Sequence, residues 1–218
     1  MTNLGNQLID LKAIYKSRFE SALVPVSTRL EKFLSVLLSD QPRIDRISAR
    51  PKSVERFLAK AKKRENETLK YDDPLNQIQD QIGARIITFY LQDVETISNT
   101  LSQYFRAVEN RRIVPDREAE FGYFGRHFIF FLTNDVLDED NTEAPIFFEL
   151  QVKTLFQHAW AEANHDVGYK ELEGENTETE RRLMAYASAQ AWGADRVFDE
   201  LFTGKTGAQV TAPHNKTV

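Results

Sequence analysis

The sequence predicts an α/β fold of the α+β kind: a central mixed β-sheet flanked by helices, with helical extensions at both ends of the chain. Two patterns carry this. Runs rich in β-branched and aromatic residues, such as Ile82–Phe89, recur between segments whose apolar residues fall at helical spacing. The composition, 41% hydrophobic and 11% aromatic over 218 residues, supplies enough apolar surface for a buried core. No internal repeat or long Pro/Gly linker divides the chain, so one α/β domain with helical ends is expected.

In chain order, a first helix is expected around Leu8, Leu11, Ile14, Tyr15 and Phe19. Thr28-Arg-Leu-Glu31 has the form of a capping box, opening a second helix through Leu30, Phe33, Leu34, Leu37 and Leu38. Ser53 is placed to cap a third, with the stripe Val54, Phe57, Leu58 and Ala61. After strand Ile82–Phe89, Asp93 begins a helix carrying Val94, Ile97, Leu101, Tyr104 and Phe105. Strands His127–Leu132 and Pro145–Val152 follow, separated by the acidic turn Asn134–Glu143. Helical spacing returns after Thr154 in Leu155, Phe156, Ala159, Trp160 and Ala163. A long last helix carries Leu183, Ala187, Ala194, Phe198 and Leu201, with Gly204 as its stop. From Lys205 the chain is small and polar and is expected to be disordered.

Composition excludes several functions. With no cysteine there is no disulfide scaffold, Cys-ligated zinc or cysteine nucleophile, which suits a reducing, cytoplasmic location. No apolar run approaches the roughly 18 residues of a membrane span, and the N-terminus lacks a signal-peptide pattern. A net charge of -5 argues against non-specific coating of nucleic acid. Yet Arg43–Lys70 carries ten basic residues against four acidic ones, a local excess suited to an anionic ligand or to a solvated helix face.

Candidate chemistry gathers on two strands. Period two sends Ile146, Phe148, Leu150 and Val152 to one face, leaving Phe147, Glu149, Gln151 and Lys153 on the other. A carboxylate, an amide and an ammonium in line resemble a site floor. Gly83, Arg85 and Ile87 likewise share a face, and Asp80 just ahead of them suits hydrated Mg²⁺, which takes few protein ligands and several phosphate oxygens. Arg85 could pair with phosphate or stack on a base. His158, Glu162 and His165 lie on one helix face but lack zincin spacing, so packing and surface hydrogen bonding account for them better than a metal. There is no P-loop and no G-x-G-x-x-G after a strand, so phosphates would be held by side chains.

Arg50-Pro-Lys-Ser53, Asp80-Gln-Ile-Gly-Ala-Arg85, Gly122-Tyr-Phe-Gly-Arg-His127 and Glu149-Leu-Gln-Val-Lys-Thr154 occur in that order, followed by Ala159-Trp160, His165 and Tyr169-Lys170. Together they resemble the synthetase domain of the RelA/SpoT family of alarmone (guanosine polyphosphate) enzymes, and the size is similar to its small single-domain members. The resemblance implies a synthetase (nucleotidyltransferase-like) domain over residues 43–204, N-terminal helices over 1–42 and a tail over 205–218. It implies no hydrolase or regulatory domain in this chain, and a homo-oligomer, up to a tetramer built through terminal helices.

The implied reaction is transfer of pyrophosphate from ATP to the 3′-hydroxyl of GTP or GDP, with release of AMP. By the family's pattern, Asp80 holds Mg²⁺, and Glu149 shares the metal or activates the 3′-hydroxyl. Arg50 and Arg85 flank the adenine. Lys52 reaches the ATP phosphates, and Ser53 contributes its hydroxyl or the helix N-terminus. Tyr123 stacks on the acceptor base, with His127, Gln151 and Lys153 on the acceptor side. The sequence departs from the pattern at Gly125 (serine in the family), at Phe124 and Arg126 (commonly a basic and an aliphatic residue), and at Lys153 (arginine). Residues 115–121 are less basic than usual. These departures bear on the acceptor, leaving as alternatives a pyrophosphokinase toxin acting on adenine nucleotides or the tRNA 3′ end, and an inactive nucleotide-sensing module. Nucleic acid is expected only in the tRNA case, where Lys60–Arg64 would be the basic surface.

Overall fold

The computed structural model describes residues 2–114, 121–122, 125–137, 143–168 and 176–207. Helix α1 (Thr2–Arg18) passes through a π-turn at Phe19–Leu23 into α2 (Val24–Leu37). Pro25 lacks an N–H and its ring crowds the preceding turn, and the wider π-turn absorbs it without ending the helix. Thr28 is therefore no cap, contrary to the sequence expectation. Its hydroxyl donates to the Val24 carbonyl in mid-helix, and Glu31 instead accepts from the Ala49 N–H.

Strand β1 (Ile44–Pro51) leads to α3 (Val54–Ala61), where Ser53 Oγ accepts from Arg56 N as expected of an N-cap. A small hairpin, β2 (Arg64–Glu65) with β3 (Thr68–Leu69), and the short helix α4 (Pro74–Gln77) precede β4 (Ile82–Thr88). Helix α5 (Leu91–Tyr104) starts earlier than expected, with Tyr90 as its N-cap and Asp93 accepting from the Tyr90 N–H. Then come β5 (Ala107–Ile113), β6 (Gly125–Phe131) and β7 (Phe147–Thr154), then α6 (Leu155–Gly168) and α7 (Glu178–Thr206). Gly204 does not stop α7. The stop is Gly207, left-handed at φ 65°, where a side chain would be strained. Lys205 and Thr206 thus belong to the helix rather than the tail, and residues 208–218 lie outside the described residues.

The main sheet has the order β1-β4-β7-β6-β5, with β4 and β7 parallel and the other pairs antiparallel. One face is apolar: Ala84, Ile86, Phe128, Phe130, Phe148, Leu150 and Val152 are buried with Leu30 and Leu34 of α2 and Val94, Ile97 and Leu101 of α5. Phe105, Phe130 and Phe148 pack ring on ring with centroids 5.2–5.8 Å apart. Among the described residues no helix is long and apolar enough to cross a membrane.

Candidate active site

The opposite face is polar, and strand register sets its rows. Ser48, Arg85, Gln151 and His127 are consecutive cross-strand partners, with Arg111 next at the edge. The adjacent row runs Arg50, Gly83, Glu149 and Ile129. Period two along each strand brings to this one face the residues singled out on β1, β4, β6 and β7.

Asp80 sits in the turn Gln79–Gln81 immediately before β4. The Lys52 N–H donates to the Gln81 carbonyl at 2.8 Å, continuing the β1–β4 ladder past its end and bringing Lys52 to Asp80. The buried Gln81 amide locks the turn by donating to the carbonyls of Leu75 and Ile78, and Arg18 from α1 donates to Leu75 O and Gln81 Oε1. From α1, the Tyr15 hydroxyl donates to the Lys52 carbonyl, and its ring stacks on Phe57 at 3.6 Å.

Asp80 Oδ2 takes ion pairs from Lys52 Nζ and Lys60 Nζ, both at 2.9 Å. Burial pushes the Asp80 carboxyl up, but the two lysines outweigh it and hold it below its ordinary value. Lys60, eight residues beyond Lys52 on α3, had no signal in the sequence beyond its place in the basic segment. Asp80 Oδ1 is buried with no hydrogen-bond partner among the described residues. A carboxylate oxygen without a partner among the described residues, with the Glu149 carboxylate near enough to feel its charge, is the kind of ligand a hard divalent cation such as Mg²⁺ takes.

Glu149 lies at the centre of the sheet. Burial raises its carboxyl and the charge of Asp80 adds to that, but the hydrogen bonds from His127 and Gln151 prevail and keep it ionised below the usual range. His127 Nδ1 is 3.4 Å from Glu149 Oε1. Gln151 Oε1 is buried without a partner among the described residues, an acceptor left over for a ligand. Lys153 is buried as well, and burial with the neighbouring Arg85 charge pushes its ammonium down to about 7.

A cleft of about 500 Å³ lies over this face, between Arg85, His127, Gln151 and Lys153 below and Trp160, Glu162 and His165 of α6 with Met184 of α7 above. α7 is tied down by the Trp160 indole N–H donating to Met184 O and by Ser188 donating to Gly122 O. Of the residues expected from sequence, Asp80, Lys52 and Ser53 gather at the end of β1. Arg50, Arg85, Glu149, His127, Gln151 and Lys153 share the sheet face. Tyr123 lies outside the described residues, as do Phe124 and Tyr169-Lys170. Arg126, one of the departures expected to bear on the acceptor, does not stand with the acceptor residues: as a partner of Val152 it turns to the apolar side, 3.6 Å from Glu95 of α5 and over the Phe128 ring.

Residues 49–174 match the family model described as the region found in RelA / SpoT proteins. The chain belongs to that family. The matched span opens at the end of β1 and includes all ten residues expected at the site. The chain is 26% identical over 167 residues to the GTP pyrophosphokinase YjbM of Bacillus subtilis (strain 168), covering 74% of each protein. Its fold is similar to the crystal structure of the small alarmone synthetase 1 from Bacillus subtilis, with a TM-score of 0.71 and 23% identity over 91% of this chain and 100% of that one. The structure of the same synthetase bound to its product pppGpp gives a TM-score of 0.67 and 21% identity over 90% and 98% of the two chains.

Proposed function

We propose that this RelA/SpoT family protein is a guanosine alarmone synthetase, transferring pyrophosphate from ATP to the 3′-hydroxyl of GTP or GDP and releasing AMP. One observation carries the reading: two carboxylates held below their ordinary values, Asp80 in the turn that leads into β4 and Glu149 on the polar sheet face, are close enough to feel each other's charge, with Lys52 and Lys60 on Asp80 and Arg85 and Lys153 on the same polar face as Glu149. Phosphoryl chemistry depends on placing reactants in line and neutralising charge, and this face is arranged for both.

In the transfer, the 3′-oxygen bonds to the β-phosphorus of ATP and the bond from that phosphorus to the α–β bridging oxygen breaks. AMP leaves with the electron pair. Glu149, ionised and half-buried, takes the hydroxyl proton, while His127 and Gln151 fix its orientation. Lys52 and Lys60 neutralise the phosphates, with the α3 N-terminus behind Ser53 as a further electropositive group. Arg50 and Arg85 flank the adenine across Gly83. Asp80, through its free oxygen, and Glu149 would hold Mg²⁺, which when bound draws charge from the phosphate oxygens. On the acceptor side, Lys153 faces the anionic tail and Tyr123 stacks on the base. That the similar protein YjbM is a GTP pyrophosphokinase, and that the related synthetase binds its product pppGpp, support a guanosine acceptor.

Product analysis after incubating the protein with ATP, Mg²⁺ and GTP, GDP, ATP or deacylated tRNA tests this. AMP together with a 3′-pyrophosphorylated guanosine nucleotide is the expected outcome. Product only with tRNA, lost when Lys62, Lys63 and Arg64 are neutralised while Lys60 stays on Asp80, would overturn the guanosine reading and leave the pyrophosphokinase chemistry.

A further inference from the structure

We propose that Glu162 of α6 is a positioning residue for Arg85, gripping the guanidinium by one edge so that its flat face stays open to the adenine of ATP. The proposal rests on the reading of Arg85 as an ATP-site residue. Arg85 Nη1 donates to Glu162 Oε1 at 2.7 Å, and the same nitrogen lies 3.3 Å from His158 Nδ1. His158 and Glu162 are one helical turn apart on α6, so a single helix face presents both acceptors.

The His158 ring has an arginine at each nitrogen, since Arg46 Nη2 is 3.5 Å from Nε2. Burial and the Arg85 charge keep this imidazole neutral, and a neutral ring has one acceptor nitrogen. The shorter contact assigns it to Arg85. Hydrogen bonds to a guanidinium lie in its plane and stacking uses its faces, so the grip and a base do not compete. Glu162 also supplies the local counter-charge. Buried Lys153 repels Arg85, and without Glu162 the guanidinium has reason to swing off the sheet face. Glu162 is half exposed, so the pair adds little to stability and its consequence is geometric. Both residues line the cleft.

The test is calorimetric titration of the full chain with α,β-methylene ATP, whose P–C–P bridge cannot be transferred and whose binding needs no acceptor. Wild type is compared with Glu162→Gln, Glu162→Asp, Arg85→Ala and the Arg85→Ala/Glu162→Gln double variant. Glu162→Gln should weaken the analogue about fivefold, the scale of a well-placed charge pair. Glu162→Asp should recover part of the loss, and Glu162→Gln should add nothing in the Arg85→Ala background. Wild-type affinity in Glu162→Gln, or an undiminished loss in the Arg85→Ala background, overturns the proposal while leaving the ATP-site reading intact. Wild-type affinity in Arg85→Ala overturns both.

Discussion

Phe148 and Glu149 are neighbours on β7, yet they serve opposite sides of the same sheet. Phe148 is fully buried among Phe105, Phe130 and the helices α2 and α5. Glu149 faces the cleft side, where charged groups are held at a desolvation cost that only their mutual pairing offsets. The apolar face derives its stability from packing that tolerates no vacancy. The polar side, with the turn before β4, leaves Asp80 Oδ1 and Gln151 Oε1 without partners among the described residues, which is poor for stability and useful for a ligand. One strand therefore stabilises with its even positions and binds with its odd ones.

The widest separation between the faces should come from substituting these neighbours. Glu149→Gln should lower turnover about 10²–10⁴-fold, the contribution of a positioned base, with the melting temperature unchanged. Steady-state AMP release and calorimetry together check this, and turnover within about twofold of wild type would remove Glu149 from the mechanism. Phe148→Ala should do the reverse, destabilising by about 3–5 kcal/mol through the cavity it leaves. The midpoint should fall by about 10 °C, while the KM for ATP at low temperature stays near that of wild type.

Gly83 sharpens the contrast further. It lies in the row between Arg50 and Glu149, and a Cβ built there meets nothing within 4 Å, so the space above it is open. Gly83→Ala should fold normally yet lose activity about tenfold or more, because a reactant displaced by about 1 Å can lose up to about 10²-fold. Unchanged kcat/KM would mean that nothing binds over the glycine.

The smallest effect is expected where the two helices close the cleft. Asp195 of α7 is buried and accepts from the Thr154 hydroxyl at 2.8 Å, and burial, with the Asp199 charge, pushes its carboxyl up to about 7. A raised folded value means that the unfolded chain releases this proton first as pH rises. Stability is thus lost between about pH 4 and pH 7. Asp195→Asn cannot ionise and should be more stable than wild type at pH 8 by on the order of 1 kcal/mol, an advantage that shrinks towards pH 4. Melting curves at the two pH values decide it.

Much of this was legible in the residues. The period of two in β7 separated Glu149, Gln151 and Lys153 from Phe148, Leu150 and Val152, and the structure keeps that division. Strands β1 and β5 were not legible. Ile44–Pro51 and Ala107–Ile113 are dense in charged residues because they are the two edges of the sheet, where solvent and charge keep further strands from adding. Their strand character comes from hydrogen bonding to β4 and β6, which no local propensity records. Thr28-Arg-Leu-Glu31 misled because a capping pattern inside a continuous helix looks the same in sequence as one at its start.

The sequence by itself determined the class of fold, the apolar and polar alternation of β7, and the residue types the chemistry needs, since these follow from periodicity and local chemistry. Only the tertiary structure decided their company. Lys60 meets Asp80 because α3 packs under Tyr15, and Glu162 meets Arg85 because α6 turns back over the sheet after Thr154. Arg126 leaves the site because strand register, rather than sequence proximity to His127, chooses the face. Contacts between residues 20 to 80 positions apart depend on how elements pack, and packing is a property of the whole core rather than of any segment.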